Sequence, residues 1–181
     1  MDVESIEEQV YVAMGWNLGD RDAHLAAALA ALRGTQGIEV AAVSPLYETD
    51  PVGPPPQGPY LNGAIELATT LIPDALLERL LAIEVSQGRT RGPDRNAPRT
   101  LDLDLLLYGD RKLAGPDLEV PHPRLAERPF VLEPLCDLAP DLIHPTLGET
   151  IEVLARRVRD PAAVRRWTSS SPLQPSASSP L

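Results

Sequence analysis

Residues 99–108 read RTLDLDLLLY, and the alternation inside them constrains the fold more than any other feature of the chain. In a strand, residues two apart share a face. Leu101, Leu103 and Leu105 would then lie on one side, with Asp102 and Asp104 on the other. On a helix the two carboxylates would diverge by about 200°. The segment predicts a two-sided strand, leucines in a core and both aspartates opposite. Two adjacent carboxylates need compensation, from arginines or from a hard divalent metal, for which carboxylate oxygens are preferred ligands. Taken alone, the Asp-x-Asp pair also suits a plain solvated strand face.

The rest of the chain supplies the partners of that strand. QVYVAM, from Gln9 to Met14, reads as a first strand. Asp20 or Asp22 can cap a helix over DAHLAAALAALR, ended by Gly34. GIEVAAVSPLYET (37–49) reads as one strand, and YLNGAIELATTL (60–71) as another. Pro73 and Asp74 open a helix whose apolar side carries Leu76, Leu77, Leu80, Leu81 and Ile83. With the leucine–aspartate strand, the order is β-α-β-β-α-β. That is the ferredoxin-like split βαβ arrangement, an α+β sandwich with a mostly antiparallel sheet and extra elements at the C-terminal end. One domain is expected over residues 10–160. A frayed N-terminus (1–9) should precede it, and a disordered Ser/Pro-rich tail (168–181) should follow. The loops at about 50–59 and 89–98 are rich in Pro, Gly and Arg and are expected to move.

Charge narrows the function. Of 181 residues, 26 are acidic and 16 basic, a net charge of -10. A general nucleic-acid binder would carry a basic footprint instead. Cys136 is the only cysteine, so no internal disulfide is expected. No apolar run approaches the ~20 residues of a membrane span, and no signal peptide is apparent. A cytoplasmic, monomeric protein is expected, with no nucleic-acid or membrane partner. Against the acidic background, Arg89, Arg91, Arg95 and Arg99 cluster just before the aspartates. Guanidinium forks match phosphate oxygens, so the combination suggests polyphosphate with Mg²⁺ bridging it to the carboxylates. There is no phosphate-binding P-loop motif.

At this point the residues match a known family. RNAPRTLDLDLL (95–106) resembles the signature of the 6-hydroxymethyl-7,8-dihydropterin pyrophosphokinases of folate biosynthesis. YVAMGWNLGDR, SPLYETDPVGPPPQGPYLNGAI, IEVSQGRTR and VPHPRLAERPFVLEPLCDLAPDLIHP resemble further family segments, in order, over roughly residues 10–155. The resemblance implies pyrophosphate transfer from ATP to the pterin hydroxymethyl group, leaving AMP, with two Mg²⁺ ions. It implies that Asp102 and Asp104 are metal ligands, and that Arg89 and Arg99 join them as catalytic residues. ATP would meet Glu84, Arg89, Arg91, Arg99, Leu105, His122 and Arg128. The pterin would lie between Tyr60 and Phe130, read by Asn62 and by the chain around Thr49, Pro51 and Val52. Trp16 stands where the family usually has serine, and Asn96 where some members have tryptophan. Trp16 could stack near the pterin loop or simply cover core. His24 and His144 receive no role.

Overall fold

The computed structural model describes residues 7–17, 19–51, 57–88 and 101–168. Strand β1 (Glu8–Trp16) leads to helix α1 (Arg21–Arg33). Asp20 caps that helix, its side chain accepting from the backbone N–H groups of Asp22 and Ala23, both at 3.1 Å. Of the two candidate caps it is Asp20 that acts. Strands β2 (Ile38–Val43), β3 (Tyr47–Thr49) and β4 (Tyr60–Thr69) follow, then helix α2 (Pro73–Ser86) and strand β5 (Asp102–Tyr108). The segment 37–49, expected as one strand, is therefore two. Pro45 cannot donate to a ladder. Ser44 bridges the break: its backbone N–H donates to the Ala64 carbonyl at 2.9 Å, and its hydroxyl accepts from the Ala64 N–H at 2.8 Å.

β4 pairs with β1 along one edge and with β2 and β3 in succession along the other. β5 pairs with the far side of β1, and every pairing is antiparallel. This is the ferredoxin-like arrangement. The C-terminal part adds a small hairpin of β6 (Leu113–Ala114) and β7 (Glu119–Val120), a 3-10 turn (Leu125–Glu127), helix α3 (Pro129–Leu138) and helix α4 (Ile151–Val158). It ends in strand β8 (Val164–Arg166), which pairs with β3. β8 lies past residue 160, where the sequence reading places the domain's end. A run as short and basic as VRR carries no strand periodicity of its own.

Two cores flank the sheet. Val10, Val12, Met14 and Trp16 of β1 pack with Leu61, Ile65 and Leu67 of β4 and with Leu32, Leu76 and Leu80 of the first two helices. Trp16 is fully buried there and its indole N–H donates to the Arg21 carbonyl at 3.1 Å, so it covers core rather than the pterin loop. On the other face Tyr11, Ala64, Leu106 and Leu107 pack under α3 and α4. A bulge lets two adjacent leucines enter that second core: Tyr11 pairs with Leu107 and Val12 with Leu105, leaving Leu106 extra. Among the described residues no helix is long and apolar enough to cross a membrane.

Candidate active site

The site is a set of side chains laid out by strand register. Direct cross-strand partners point to the same face. Gly15 pairs with Asp102 on one side and Asn62 on the other, Asn62 pairs with Tyr47, and Tyr47 with Arg166. Beside that row, Ala13 pairs with Asp104, and Tyr60 pairs with Thr49, which pairs with Val164. All of them lie on the α3 side of the sheet. Leu103 and Leu105, by contrast, are buried among the α1 and α2 side chains. Two strand spacings separate Asp102 from Asn62, about 10 Å. Between them Gly15 adds no side chain, and a Cβ there would stand 3.4 Å from Asn62 Oδ1.

A pocket of about 510 Å³ opens over this surface. Its lining brings together Asp102, Asp104, Thr49, Pro51, Tyr60, Asn62, Arg128 and Phe130, eight positions that the resemblance singles out. Phe130 comes from the first turn of α3 and Tyr60 from the start of β4. The Tyr60 hydroxyl donates to Gln57 Oε1 at 3.2 Å, and Asn17 Nδ2 reaches the same oxygen at 2.8 Å. Asn62 is 8% exposed. Its Nδ2 donates to Thr49 Oγ1 at 2.9 Å, which turns Oδ1 away from Thr49. That oxygen has no partner among the described residues.

The described lining of the pocket sets two arginines, Arg124 and Arg128, among three aspartates, Asp50, Asp102 and Asp104. Burial, then Arg124, lowers the Arg128 guanidinium from its ordinary range, while Asp104 and Asp102 oppose the shift. His122 is lowered by burial first, then by Arg128 and Arg124, with Glu119 and Asp102 opposing. Its Nδ1 accepts from the Arg124 N–H at 3.1 Å, so the neutral ring carries its proton on Nε2. Among the described residues no group of three His, Cys, Asp or Glu side chains could hold a metal. Two carboxylates on one strand face nevertheless fit Mg²⁺, which keeps several waters and takes phosphate oxygens as further ligands.

Glu84 and Leu105, both expected at the nucleotide, do not line this pocket. Leu105 has its side chain in the core on the opposite face from the aspartates, so a nucleotide could meet only its backbone. Glu84 is 2% exposed, and its Oε1 accepts from the Leu103 N–H at 2.7 Å. It ties α2 to β5 between the two aspartates. Val52, Arg89, Arg91, Arg95, Asn96 and Arg99 lie outside the described residues, as do the terminal segments 1–6 and 169–181. Sequence reasoning overlooked Gly15, Arg124, Ala163 and Val164. Arg124 could have been found from its spacing to Arg128 in PHPRLAER, whereas the others have no local signal.

Comparison with known proteins decides the family. A profile of the 7,8-dihydro-6-hydroxymethylpterin-pyrophosphokinase (HPPK) family matches residues 11–140. The chain belongs to this family. It is 48% identical over 148 residues to the 2-amino-4-hydroxy-6-hydroxymethyldihydropteridine pyrophosphokinase of Pseudomonas aeruginosa, covering 82% of this chain and 91% of that protein. It is 42% identical over 162 residues to the enzyme of the same name from Bacillus subtilis, covering 89% and 91%. Among solved structures, an HPPK-DHPS chain of Plasmodium falciparum superposes with a TM-score of 0.71 at 14% identity, which shows the shared fold. That match covers 91% of this chain and 50% of the Plasmodium chain. The HPPK family match takes in the aspartates, Tyr60, Asn62, Arg128 and Phe130, but it stops before Ala163 and Val164.

Proposed function

We infer that this chain is the pyrophosphokinase of folate biosynthesis. It transfers pyrophosphate from ATP to the hydroxymethyl group of 6-hydroxymethyl-7,8-dihydropterin, giving AMP and the pterin diphosphate. The supporting observation is the convergence of the paired carboxylates Asp102 and Asp104 with Tyr60, Asn62 and Phe130 in one pocket. The pterin hydroxyl oxygen bonds to the β-phosphorus and gives up its proton to solvent, while the bond from that phosphorus to the α–β bridging oxygen breaks and the oxygen leaves with AMP. The acceptor is the nucleophile, so the protein needs no covalent intermediate and works by positioning and charge stabilisation.

In this reading Tyr60 and Phe130 hold the flat heterocycle between two rings. Asn62, oriented by Thr49, reads its edge, with the chain at Pro51 beside it. Paired polar groups of this kind give strong discrimination, because a wrong heterocycle would leave them unpartnered. Asp102 and Asp104 would hold Mg²⁺, which stabilises charge on the attacking and leaving oxygens of an in-line displacement. Arg128, Arg124 and His122 approach the phosphates from the segment before α3, and the family resemblance adds Arg89, Arg91 and Arg99 to the same phosphates. We assign Glu84 a positioning role, holding the strand that carries the aspartates. The folded unit acts as a monomer in the cytoplasm, where its lone, half-buried Cys136 stays reduced.

The test is AMP formation from ATP and Mg²⁺, with and without reduced hydroxymethylpterin. AMP that appears only with pterin supports the reading. Pterin-independent AMP, or none at all, overturns it.

A further inference from the structure

The HPPK family match ends at residue 140, yet the pocket wall continues beyond it. Ala163 and Val164 line the pocket, and Val164 is 8% exposed. Val164 is the direct partner of Thr49, and Thr49 of Tyr60. These three side chains make one row across three strands, next to Asn62.

β8 is anchored on both sides of that row. Arg165 reaches the Asp50 carboxylate with two nitrogens, at 3.0 and 3.4 Å, and Asp50 itself lines the pocket. The Trp167 N–H donates to the Leu46 carbonyl at 2.9 Å. The Trp167 ring packs against the first core, with the Arg21 guanidinium 5.7 Å from its centre. Arg166 lies 3.9 Å from Asp137, the acceptor of the Tyr47 hydroxyl. Residues 46–50 are thus gripped from β8 on the edge that β4 does not cover. Without it, the three residues of β3 would form an exposed edge, with unpaired backbone groups and freedom to shift.

We propose that β8 is a positioning element for the pterin end of the pocket: it fixes Thr49 and Asp50, and Val164 sets the width beside Tyr60. The proposal rests on the pterin reading of that pocket. Thr49 in turn orients the Asn62 amide, so displacing β3 would blur recognition of the heterocycle edge. The aspartates, on the far edge of the sheet, would keep their places.

Steady-state kinetics on the full chain tests this with four variants. Arg165→Glu puts a carboxylate against Asp50 and Glu48, and it should raise the pterin KM about five-fold while the ATP KM holds. Arg165→Lys, which keeps a cation against Asp50, should rescue the pterin KM. Val164→Phe, which narrows the wall, should raise the pterin KM selectively. Tyr60→Ala reports on the pocket itself. If Tyr60→Ala leaves the pterin KM unchanged, the pocket reading fails and this proposal with it. If Tyr60→Ala raises it but Arg165→Glu and Val164→Phe do not, the role of β8 alone is overturned. Equal shifts in both KM values with a lowered Tm and no rescue would make β8 a structural brace only, which also overturns it.

Discussion

The two faces of the sheet are built from the same strands and end up with different tasks. Towards α1 and α2, successive inward positions of β1 are Val10, Val12, Met14 and Trp16, all essentially buried, and β5 adds Leu103 and Leu105. Towards α3 and α4 the apolar floor stops part-way. Tyr11, Ala64, Leu106 and Leu107 lie under the helices, and then come Ala13, Gly15, Asn62, Asp102 and Asp104. The closed face holds the strands in register, and the open end of the other face uses that register as a ruler. Polar groups are tolerated there because the pocket opens that end to solvent, whereas on the closed face each would need a partner in the protein.

Substitutions on the two faces should separate activity from stability. The largest effect on activity is expected from Asp102→Ala or Asp104→Ala, which removes a proposed metal ligand. Turnover should fall about a thousand-fold or more, with the urea midpoint little changed. Near-normal turnover in either variant would remove the metal assignment. On the closed face, Leu80→Ala truncates a fully buried side chain and should cost about 2–5 kcal/mol of stability. The KM values of the protein that stays folded should hold, as denaturant titration beside kinetics would show. Glu84 couples the faces: Glu84→Ala leaves the Leu103 N–H buried without its acceptor, costing about 1–3 kcal/mol and lowering turnover through the displaced strand. Glu84→Gln keeps an acceptor and should recover most of both losses.

The smallest effect concerns pH. His144, in the connection between α3 and α4, is 5% exposed, and its Nδ1 accepts from the Thr146 and Leu147 N–H groups, both at 3.2 Å. Burial lowers its pKa from the ordinary 6.5. The unfolded chain then takes up the proton first as pH falls. Stability present above about pH 6.5 should be lost as pH drops through the folded-state pKa. His144→Asn, which keeps a side-chain acceptor but does not titrate, should flatten the urea midpoint between pH 7.5 and 5. An unchanged slope would show that His144 does not contribute to it.

Much of the scaffold was legible because it rests on local periodicity. The leucine–aspartate alternation of β5, the capped α1 and the Pro-initiated α2 each carry their own signal. Proline at position 45 signals a break in the second strand, but only Ser44 closing on Ala64 shows that the sheet continues past it. Glu84 shows what pattern matching leaves out: the resemblance places it at the nucleotide, and the structure adds that its carboxylate holds the Leu103 N–H of β5. Arg124 could have been picked out beside Arg128, but its exposure to the aspartates depends on the 3-10 turn between them.

By itself, the sequence determined the strand–helix order and the placing of Asp102 and Asp104 on one strand face. These follow from neighbours a few residues apart, where side-chain direction is set by φ and ψ. Only the tertiary structure decided that Gly15 separates the aspartates from Asn62, that Glu84 turns inward, and that Ala163 and Val164 return to wall the pocket beside Thr49. Those facts depend on strand register and on contacts spanning up to 115 residues of chain, which no local pattern encodes.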